Sequence, residues 1–264
     1  MKKIAVLGIT GSIGLSTVEV VRKHPNDFQI VLASANSNYS KLFDFAAEFN
    51  ITELVITNSA LKQKITDIPK SSNLTFGEDQ LQEKILSVDC DIILNAISGS
   101  AGLRSSITTI TKGTDLALAN KESLIMAGHK IMKMLEDSNS KLIPVDSEHS
   151  AILQAIGSST TEEIRSIIIT ASGGPFRDLP LNEFENITLE DTLKHPTWDM
   201  GAKITIDSAT MMNKGLEVIE AHWLFNKSFE DIKAVIHPQS IVHSFVEFID
   251  GSILAQLSFP TMQI

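Results

Sequence analysis

Two acidic side chains stand close together in the segment Pro144-Val-Asp146-Ser147-Glu148-His149, directly after an apolar run. If a strand continues through this segment, its alternation places Asp146 and Glu148 on one face. Neighbouring carboxylates repel unless a cation or a proton separates them, and their hard oxygen atoms suit Mg²⁺ or Mn²⁺. The segment fits equally well a solvated helix start, with Ser147 as the N-cap and the carboxylates in the first turn.

A second polar run occupies Asp207–Glu217. Asn213, Lys214 and Glu217 are spaced three and four residues apart, so they share one side of a helix that Ser208 can cap. Lys214 could then hold a phosphate together with Ser208 and Asn213, while Glu217 could reach a metal ion. An exposed ion pair between Lys214 and Glu217 is the simpler alternative.

The long irregular stretch from Ser172 to Gly201 contains two further candidates. Ser172-Gly-Gly-Pro175 is a turn whose backbone N–H groups could cradle an anion. The run His195-Pro-Thr-Trp198-Asp-Met200-Gly201 places a histidine and a tryptophan in a loop of a length that is usually functional or mobile. His195 fits a structural role as well as a catalytic one.

Three glycines at the beginning of the chain, in Gly8-Ile-Thr-Gly11-Ser-Ile-Gly14, follow an apolar strand and open a helix. This pattern lets the backbone turn sharply and approach a pyrophosphate at the helix N-terminus, although a tight turn without a ligand is the alternative. The next predicted strand ends in Ala33-Ser-Ala-Asn36-Ser37-Asn38, without the acidic residue that favours NAD. The sequence therefore predicts NADP, although no basic residue for its 2′-phosphate stands there either.

Short apolar runs alternate with amphipathic stretches as far as residue 146, which predicts a parallel α/β sheet with crossover helices. Beyond it the pattern changes to a long helix, Ala209–Phe225, followed by strands with an Asp250-Gly251 hairpin turn, which is typical of an α+β domain. We therefore predict two domains, 1–146 for the dinucleotide and 147–264 for catalysis.

Composition excludes several classes of protein. The 264 residues carry a net charge of -10, so the chain has no general attraction to nucleic acid or to anionic membranes. The single cysteine, Cys90, allows neither an intrachain disulfide nor a cysteine-based zinc site. No apolar run approaches the roughly 18 residues of a membrane span, and a soluble, cytoplasmic protein is expected.

Taken together, these segments resemble 1-deoxy-D-xylulose 5-phosphate reductoisomerases in order and spacing over essentially the whole chain. The segments that carry the resemblance are Gly8–Gly14, Leu118–Leu124, Val145–Ser150, Thr170–Phe176, His195–Gly201 and Asp207–Phe225.

The resemblance implies an enzyme that rearranges 1-deoxy-D-xylulose 5-phosphate and reduces the product with NADPH to 2-C-methyl-D-erythritol 4-phosphate, in non-mevalonate isoprenoid biosynthesis. It assigns the divalent cation, Mg²⁺ or Mn²⁺, to Asp146, Glu148 and Glu217. It assigns substrate binding to Lys121, Ser147, Glu148, Ser172, His195, Trp198, Ser208, Asn213, Lys214 and Glu217. Within that set, Lys121, Glu148 and His195 are the expected catalytic residues.

For the cofactor, the resemblance implies contacts from Thr10, Gly11, Ser12, Ile13, Asn38, Asn120, Glu122 and Gly201. It also implies a Rossmann-like first domain, a lid carrying Trp198 and Met200, a homodimer, and a C-terminal helical domain that this chain lacks. Ser37 stands where many members carry a lysine near the 2′-phosphate, which predicts weaker discrimination of NADPH from NADH.

Two other functions fit the residues. One is another NADP-dependent dehydrogenase of a phosphorylated sugar or an amino-acid semialdehyde, which would not need a site of three carboxylates. The other is a truncated, non-catalytic NADP-binding fragment.

Overall fold

A computed structural model describes residues 1–193 and 201–259 of the chain. The chain divides into two compact units, Met1–Pro144 and a second unit that begins at Val145. The break lies two residues before the boundary that the sequence predicts.

The first unit, which is described throughout, is built on a seven-stranded parallel sheet with the order β4-β3-β2-β1-β5-β6-β7. Its strands are β1 Lys2–Leu7, β2 Phe28–Ala35, β3 Glu53–Ile56, β4 Asn73–Phe76, β5 Ile92–Asn95, β6 Asp115–Leu118 and β7 Leu142–Pro144. Its helices are α1 Ser12–Lys23, α2 Tyr39–Phe49, α3 Glu78–Ser87, α4 Gly102–Lys112 and α5 Lys121–Glu136. The predicted α/β class with a parallel sheet is confirmed.

The central strand β1 lies between β2 and β5, where the order of the sheet reverses. Its buried apolar side chains, such as Ala5 and Leu7, pack with Leu32, Val55 and Ile93 into a core that β3 and α3 complete. In sheets of this kind, ligands bind outside the carboxyl ends of the strands at the point of reversal. The turn between β1 and α1 occupies that point.

Two glycines allow the close packing of this turn. Gly8 has a φ of +84°, and a Cβ there would lie 2.7 Å from the carbonyl oxygen of Ala96. A Cβ at Gly14 would lie 2.4 Å from the carbonyl oxygen of Ile9, because the first turn of α1 rests on the preceding loop. Side chains at either position would push the turn away from the sheet.

In the described part of the second unit, a four-stranded sheet has the order β11-β10-β8-β9. Its strands are β8 Ile164–Ala171, β9 Ile232–Ile236, β10 Val242–Phe248 and β11 Ile253–Leu257. Its helices are α6 Ser147–Ile156, α7 Leu189–Thr192, α8 Ala202–Ala209 and α9 Met212–Phe225. Side chains of α6, α9 and the sheet form one apolar core, which includes Ile152, Ile167, Ala221, Phe225 and Val246.

The predicted helix Ala209–Phe225 is interrupted. Met211 adopts a left-handed conformation with a φ of 59°, and it separates α8 from α9. The hydroxyl of Thr210 bonds to the carbonyl of Asp207 at 3.1 Å, and the N–H of Met211 donates to the carbonyl of Ser208 at 3.1 Å. Such local side-chain bonds compete with the helix, and apolar periodicity does not reveal them.

The described residues contain no helix with both the length and the apolar character that crossing a membrane requires.

We predict that Gly14→Ala destabilises the first unit. Overpacking typically lowers the free energy of unfolding by about 1–3 kcal/mol. We expect a loss at the upper end of this range, because the atom that the new Cβ would meet is a backbone carbonyl oxygen that cannot easily move. The matched control is Gly11→Ala, because a Cβ there meets only the carbonyl oxygen of Gly8, at 3.4 Å. Urea unfolding followed by circular dichroism measures the effect, and equal transition midpoints for the two variants would contradict it.

Candidate functional site

Three carboxylates of the second unit converge in one place. Oxygen atoms of Asp146, Glu148 and Glu217 lie within 4.8 Å of one another. Asp146 is the N-cap of α6 and Glu148 belongs to its first turn, whereas Glu217 comes from the second turn of α9. The segment is therefore a helix start rather than a continued strand, but Asp146 takes the N-cap position that the helix alternative gave to Ser147.

The chain supplies a positive charge to this cluster. The Lys214 ammonium donates to Glu148 Oε1 at 2.8 Å and also to Glu217 Oε2. The side-chain amide of Asn213 donates to the other oxygen of Glu217. Lys214 and Glu217 are both buried, so the pair is not the exposed ion pair of the simpler sequence alternative.

Burial and charge act in opposite directions on Lys214. Burial lowers the pKa of its ammonium group, but the carboxylates of Glu148 and Glu217 outweigh this effect and raise the pKa above its ordinary value. The lysine is therefore a fixed cation among the carboxylates.

A cleft opens beside the carboxylates. It is lined by seven of the predicted substrate residues in this unit, namely Ser147, Glu148, Ser172, Ser208, Asn213, Lys214 and Glu217. The Ser147 hydroxyl donates to Glu148 Oε2 at 2.6 Å. His195 and Trp198 lie outside the described residues, as does Met200, and Gly201 is the N-cap of α8.

The cleft also contains residues that the sequence analysis did not single out, among them Thr170, Met211, Ser240 and His243. Ser240 has a left-handed φ of 51° just before β10, where the run His237-Pro-Gln-Ser240 marks a turn between two apolar segments. That turn signal was available in the sequence. The arrival of His243 at the cleft depends on the pairing of β10 with β8, which no local pattern reveals.

The first unit has a cleft of its own at the glycine-rich turn. Thr10 and Gly11 line it with Ser34, Asn36 and Ser98, while Ser12 and Ile13 begin α1. The lining carries no basic side chain and one acidic one, Glu78, so the hydrogen-bond donors that it offers are hydroxyls, amides and backbone N–H groups. Such a surface suits a pyrophosphate at a helix N-terminus.

The remaining predicted cofactor residues begin helices of the first unit. Asn38 is the N-cap of α2, where its side chain accepts from Lys41 N at 3.3 Å. Asn120 is the N-cap of α5, and its amide donates to the carbonyls of Ile97 and Gly99 at 2.6 and 2.8 Å. Asn120 thus ties the start of α5 to the loop after β5.

Lys121 and Glu122 follow Asn120 in the first turn of α5. Glu122 accepts from the Asn120 amide at 3.1 Å, and Lys121 is buried. The position of this turn is therefore determined by the bonds of its cap.

The chemistry of the donors tests whether a divalent cation fits the second unit. Three carboxylates from two separate helices supply hard, anionic oxygens at a spacing that one ion can bridge, and Lys214 shows that the position accommodates a cation. Asp146, Glu148 and Glu217 could therefore hold Mg²⁺ or Mn²⁺.

Comparisons of the sequence with known proteins all find the same family. The sequence profile of 1-deoxy-D-xylulose 5-phosphate reductoisomerase matches residues 4–128. The profile of the 1-deoxy-D-xylulose 5-phosphate reductoisomerase C-terminal domain matches residues 142–225. The reductoisomerase of Clostridium perfringens strain 13 is 44% identical over 268 residues, covering all of this chain and 70% of that relative.

Solved structures agree. A DOX-P reductoisomerase in complex with NADPH, fosmidomycin and magnesium superposes with a TM-score of 0.93 at 41% identity, over 99% of this chain and 67% of that one. The reductoisomerase of Zymomonas mobilis in complex with NADPH gives a TM-score of 0.90 at 42% identity, over 99% of this chain and 68% of that one.

The fold and the two clefts define an α/β protein of two domains, the first with a parallel sheet and a cleft at its glycine-rich turn, the second with a cleft rich in carboxylates. Within that class, the matches over both units are decisive. The chain belongs to the 1-deoxy-D-xylulose 5-phosphate reductoisomerase family.

Because Lys214 and a divalent cation use the same carboxylate oxygens, we predict that Lys214→Met tightens Mn²⁺ binding in the absence of substrate. Charge-assisted hydrogen bonds contribute roughly 1.5–3 kcal/mol, so the dissociation constant should fall by roughly tenfold to a hundredfold. Lys203→Met is the control, because Lys203 pairs with Asp207 at 2.7 Å on the exposed side of α8. Calorimetric titration at pH 8 measures both, and unchanged or weaker Mn²⁺ binding to Lys214→Met would refute the competition.

Proposed function

We propose that this chain converts 1-deoxy-D-xylulose 5-phosphate to 2-C-methyl-D-erythritol 4-phosphate with NADPH and Mg²⁺ or Mn²⁺. The observation that carries the proposal is the convergence of Asp146, Glu148 and Glu217 in a cleft with hydroxyl, amide and ammonium groups. Membership of the reductoisomerase family supports the reaction, and relatives crystallised with NADPH and with magnesium support the two cofactors.

In this proposal, residues 1–146 bind NADPH, and residues 147–264, together with Asp146 and Lys121, bind the cation and the substrate. The cation, when bound, would polarise the ketone and template the neighbouring hydroxyl for rearrangement, and NADPH would supply the hydride. The side chains of Asp146, Glu148 and Glu217 would hold the cation. Ser147 and Glu148 orient the hydroxyl and carbonyl end of the substrate, as Lys121 is also proposed to do.

At the other end of the substrate, Ser172, Ser208, Asn213 and Lys214 are proposed to bind the phosphate, together with His195. Their cleft offers two hydroxyls, an amide and an ammonium group, which can all donate hydrogen bonds to phosphate oxygens. Binding at a site remote from the reacting carbons can be used to position them, and Trp198 is also proposed to contact the substrate.

The cofactor contacts are proposed for Thr10, Gly11, Ser12, Ile13, Asn38, Asn120, Glu122 and Gly201. Support comes from the cleft at the β1–α1 turn, whose position at the reversal of the sheet is the usual one for a dinucleotide. A cytoplasmic location is also proposed. Its support is the use of NADPH by a chain with one cysteine, and cell fractionation would test it.

We predict that the chain oxidises NADPH with 1-deoxy-D-xylulose 5-phosphate only when Mg²⁺ or Mn²⁺ is present. Asp146→Asn should lower kcat/KM by at least a hundredfold, because one anionic ligand is lost, while NADPH binding stays the same. Glu247→Gln is the control, because Glu247 pairs with Arg165 on the sheet, away from the carboxylate cluster.

Other results of this assay favour the alternatives. Turnover that persists in EDTA would favour an ordinary dehydrogenase of a phosphorylated substrate. NADPH binding without turnover, in the presence of metal, would favour the non-catalytic fragment.

A homodimer is the proposed assembly. Its support is β11, at an edge of the four-stranded sheet in the described residues, where Ile253, Leu254 and Leu257 are each more than half exposed. Such an edge invites pairing with another strand, and a second copy about a two-fold axis can supply one.

Light scattering should give the mass of two chains, and Leu254→Lys should shift the protein toward the monomer. Leu181→Lys is the control, because Leu181 is exposed outside the sheet. A monomeric unmodified chain, or equal effects of the two variants, would argue against this interface.

A further inference from the structure

A second pair of polar side chains lies buried beside the carboxylate cluster. His149, on α6, is fully buried, and Glu220, one turn beyond Glu217 on α9, is 1% exposed. Neither residue lines the cleft. Family resemblance and the proposed mechanism assign no role to Glu220.

One hydrogen bond and two close neighbours surround the imidazole ring of His149. Its Nε2 lies 3.0 Å from the backbone carbonyl oxygen of Glu217. Since a carbonyl oxygen only accepts, Nε2 carries a hydrogen and donates it. Its Nδ1 lies 3.3 Å from Glu220 Oε2, and the ring stacks against Phe225 with the centroids 6.2 Å apart.

This pair is joined to the cation site in two ways. His149 bonds to the main chain of Glu217, which is one of the three carboxylate residues. Potential ligand atoms of Asp146, His149 and Glu220 also lie within 4.8 Å of one another, so Asp146 belongs to both clusters. Glu220 and His149 therefore connect α9 to α6, the two helices that supply the carboxylates.

The burial of this pair is costly. Removing a carboxylate and an imidazole from water is unfavourable, and an apolar pair of similar volume is often as stable. The neighbours Ile152, Ala221 and Phe225 form an apolar core that would accommodate such a replacement. The stability of the fold therefore does not explain why a carboxylate is buried at Glu220. A role in setting the geometry of the adjacent cation site explains its burial better.

We propose that Glu220 is a positioning residue: by holding His149 against the main chain of Glu217, it sets the spacing of Asp146, Glu148 and Glu217 for a divalent cation. The inference rests on the cation site of the proposed function. Carboxylate–histidine contacts behind metal ligands commonly change metal affinity by about 10–100-fold, which sets the expected size of the effect.

The test compares two substitutions of Glu220 in the full chain. In Glu220→Gln the side-chain amide can donate to His149 Nδ1 and keep the ring in place, so Mn²⁺ affinity should stay within about threefold of the unmodified protein. In Glu220→Leu the ring loses this contact, and the dissociation constant for Mn²⁺ should rise by roughly tenfold to a hundredfold. Glu220→Met replaces the leucine variant if the latter fails to fold.

Electron paramagnetic resonance measures both the free Mn²⁺ and the spectrum of the bound ion, which should broaden or shift for the leucine variant because the ligand geometry changes. Ile167→Ala is the control for stability, since Ile167 is a fully buried residue of β8. It should lower the melting temperature and leave Mn²⁺ affinity unchanged. NADPH affinity should be the same in all variants.

Four results would overturn the proposal. They are unchanged Mn²⁺ affinity in Glu220→Leu, equal losses in the glutamine and leucine variants, an equal loss in Ile167→Ala, and two Mn²⁺ ions bound per chain. The last would make His149 and Glu220 ligands themselves. Failure of the unmodified protein to bind Mn²⁺ is a different result, because it removes the cation site of the proposed function rather than the role of Glu220.

Discussion

Repulsion among the carboxylates of Asp146, Glu148 and Glu217 is the constraint that organises the second unit. Two like charges about 4 Å apart repel by about 4 kcal/mol at an effective dielectric constant of 20, and the oxygens here lie within 4.8 Å of one another. The cluster therefore favours a cation at its centre. Lys214 provides one from the helix that carries Glu217, which makes the site compatible with folding before any ligand binds.

The packing of the second unit brings the three carboxylates together. α6 and α9 share an apolar core with the sheet, and their polar ends meet at the carboxylates. The left-handed Met211 ends α8 and lets α9 begin in a new direction, with Asn213, Lys214 and Glu217 turned toward α6. A non-glycine residue in that conformation is uncommon, and such backbone strain often accompanies functional sites.

Features created by residues close together in the chain could be predicted from the sequence, whereas features created by residues far apart in the chain could not. The turn at Gly8 and Gly14 was predictable, because strand, turn and helix follow one another in the chain. The short edge strand Asn73–Phe76 could not be predicted, because one exposed and three half-buried residues carry almost no periodic signal.

The carboxylate site shows the same limit at longer range. Spacing could place Lys214 and Glu217 on one side of a helix, but the ion pair of Lys214 with Glu148 joins positions 66 residues apart. The burial of Glu220 was weakly indicated by the sequence. This acidic residue stands among Val218, Ile219 and Ala221, and apolar neighbours on a helix predict burial.

The net charge of -10 sets a further condition on how this protein can bind phosphorylated ligands. In the first unit, the cleft is lined by no basic side chain and by one acidic one, Glu78, so the attraction must come from backbone N–H groups and the N-terminus of α1. In the second unit, the buried cation of the cleft is Lys214, whose ammonium group is already committed to Glu148 and Glu217. A divalent cation on those carboxylates would release that charge toward Ser208 and the rest of the cleft. In the proposed function, binding of the metal and binding of the phosphate are therefore coupled through one lysine, and this coupling lets an acidic protein hold an anion beside three carboxylates.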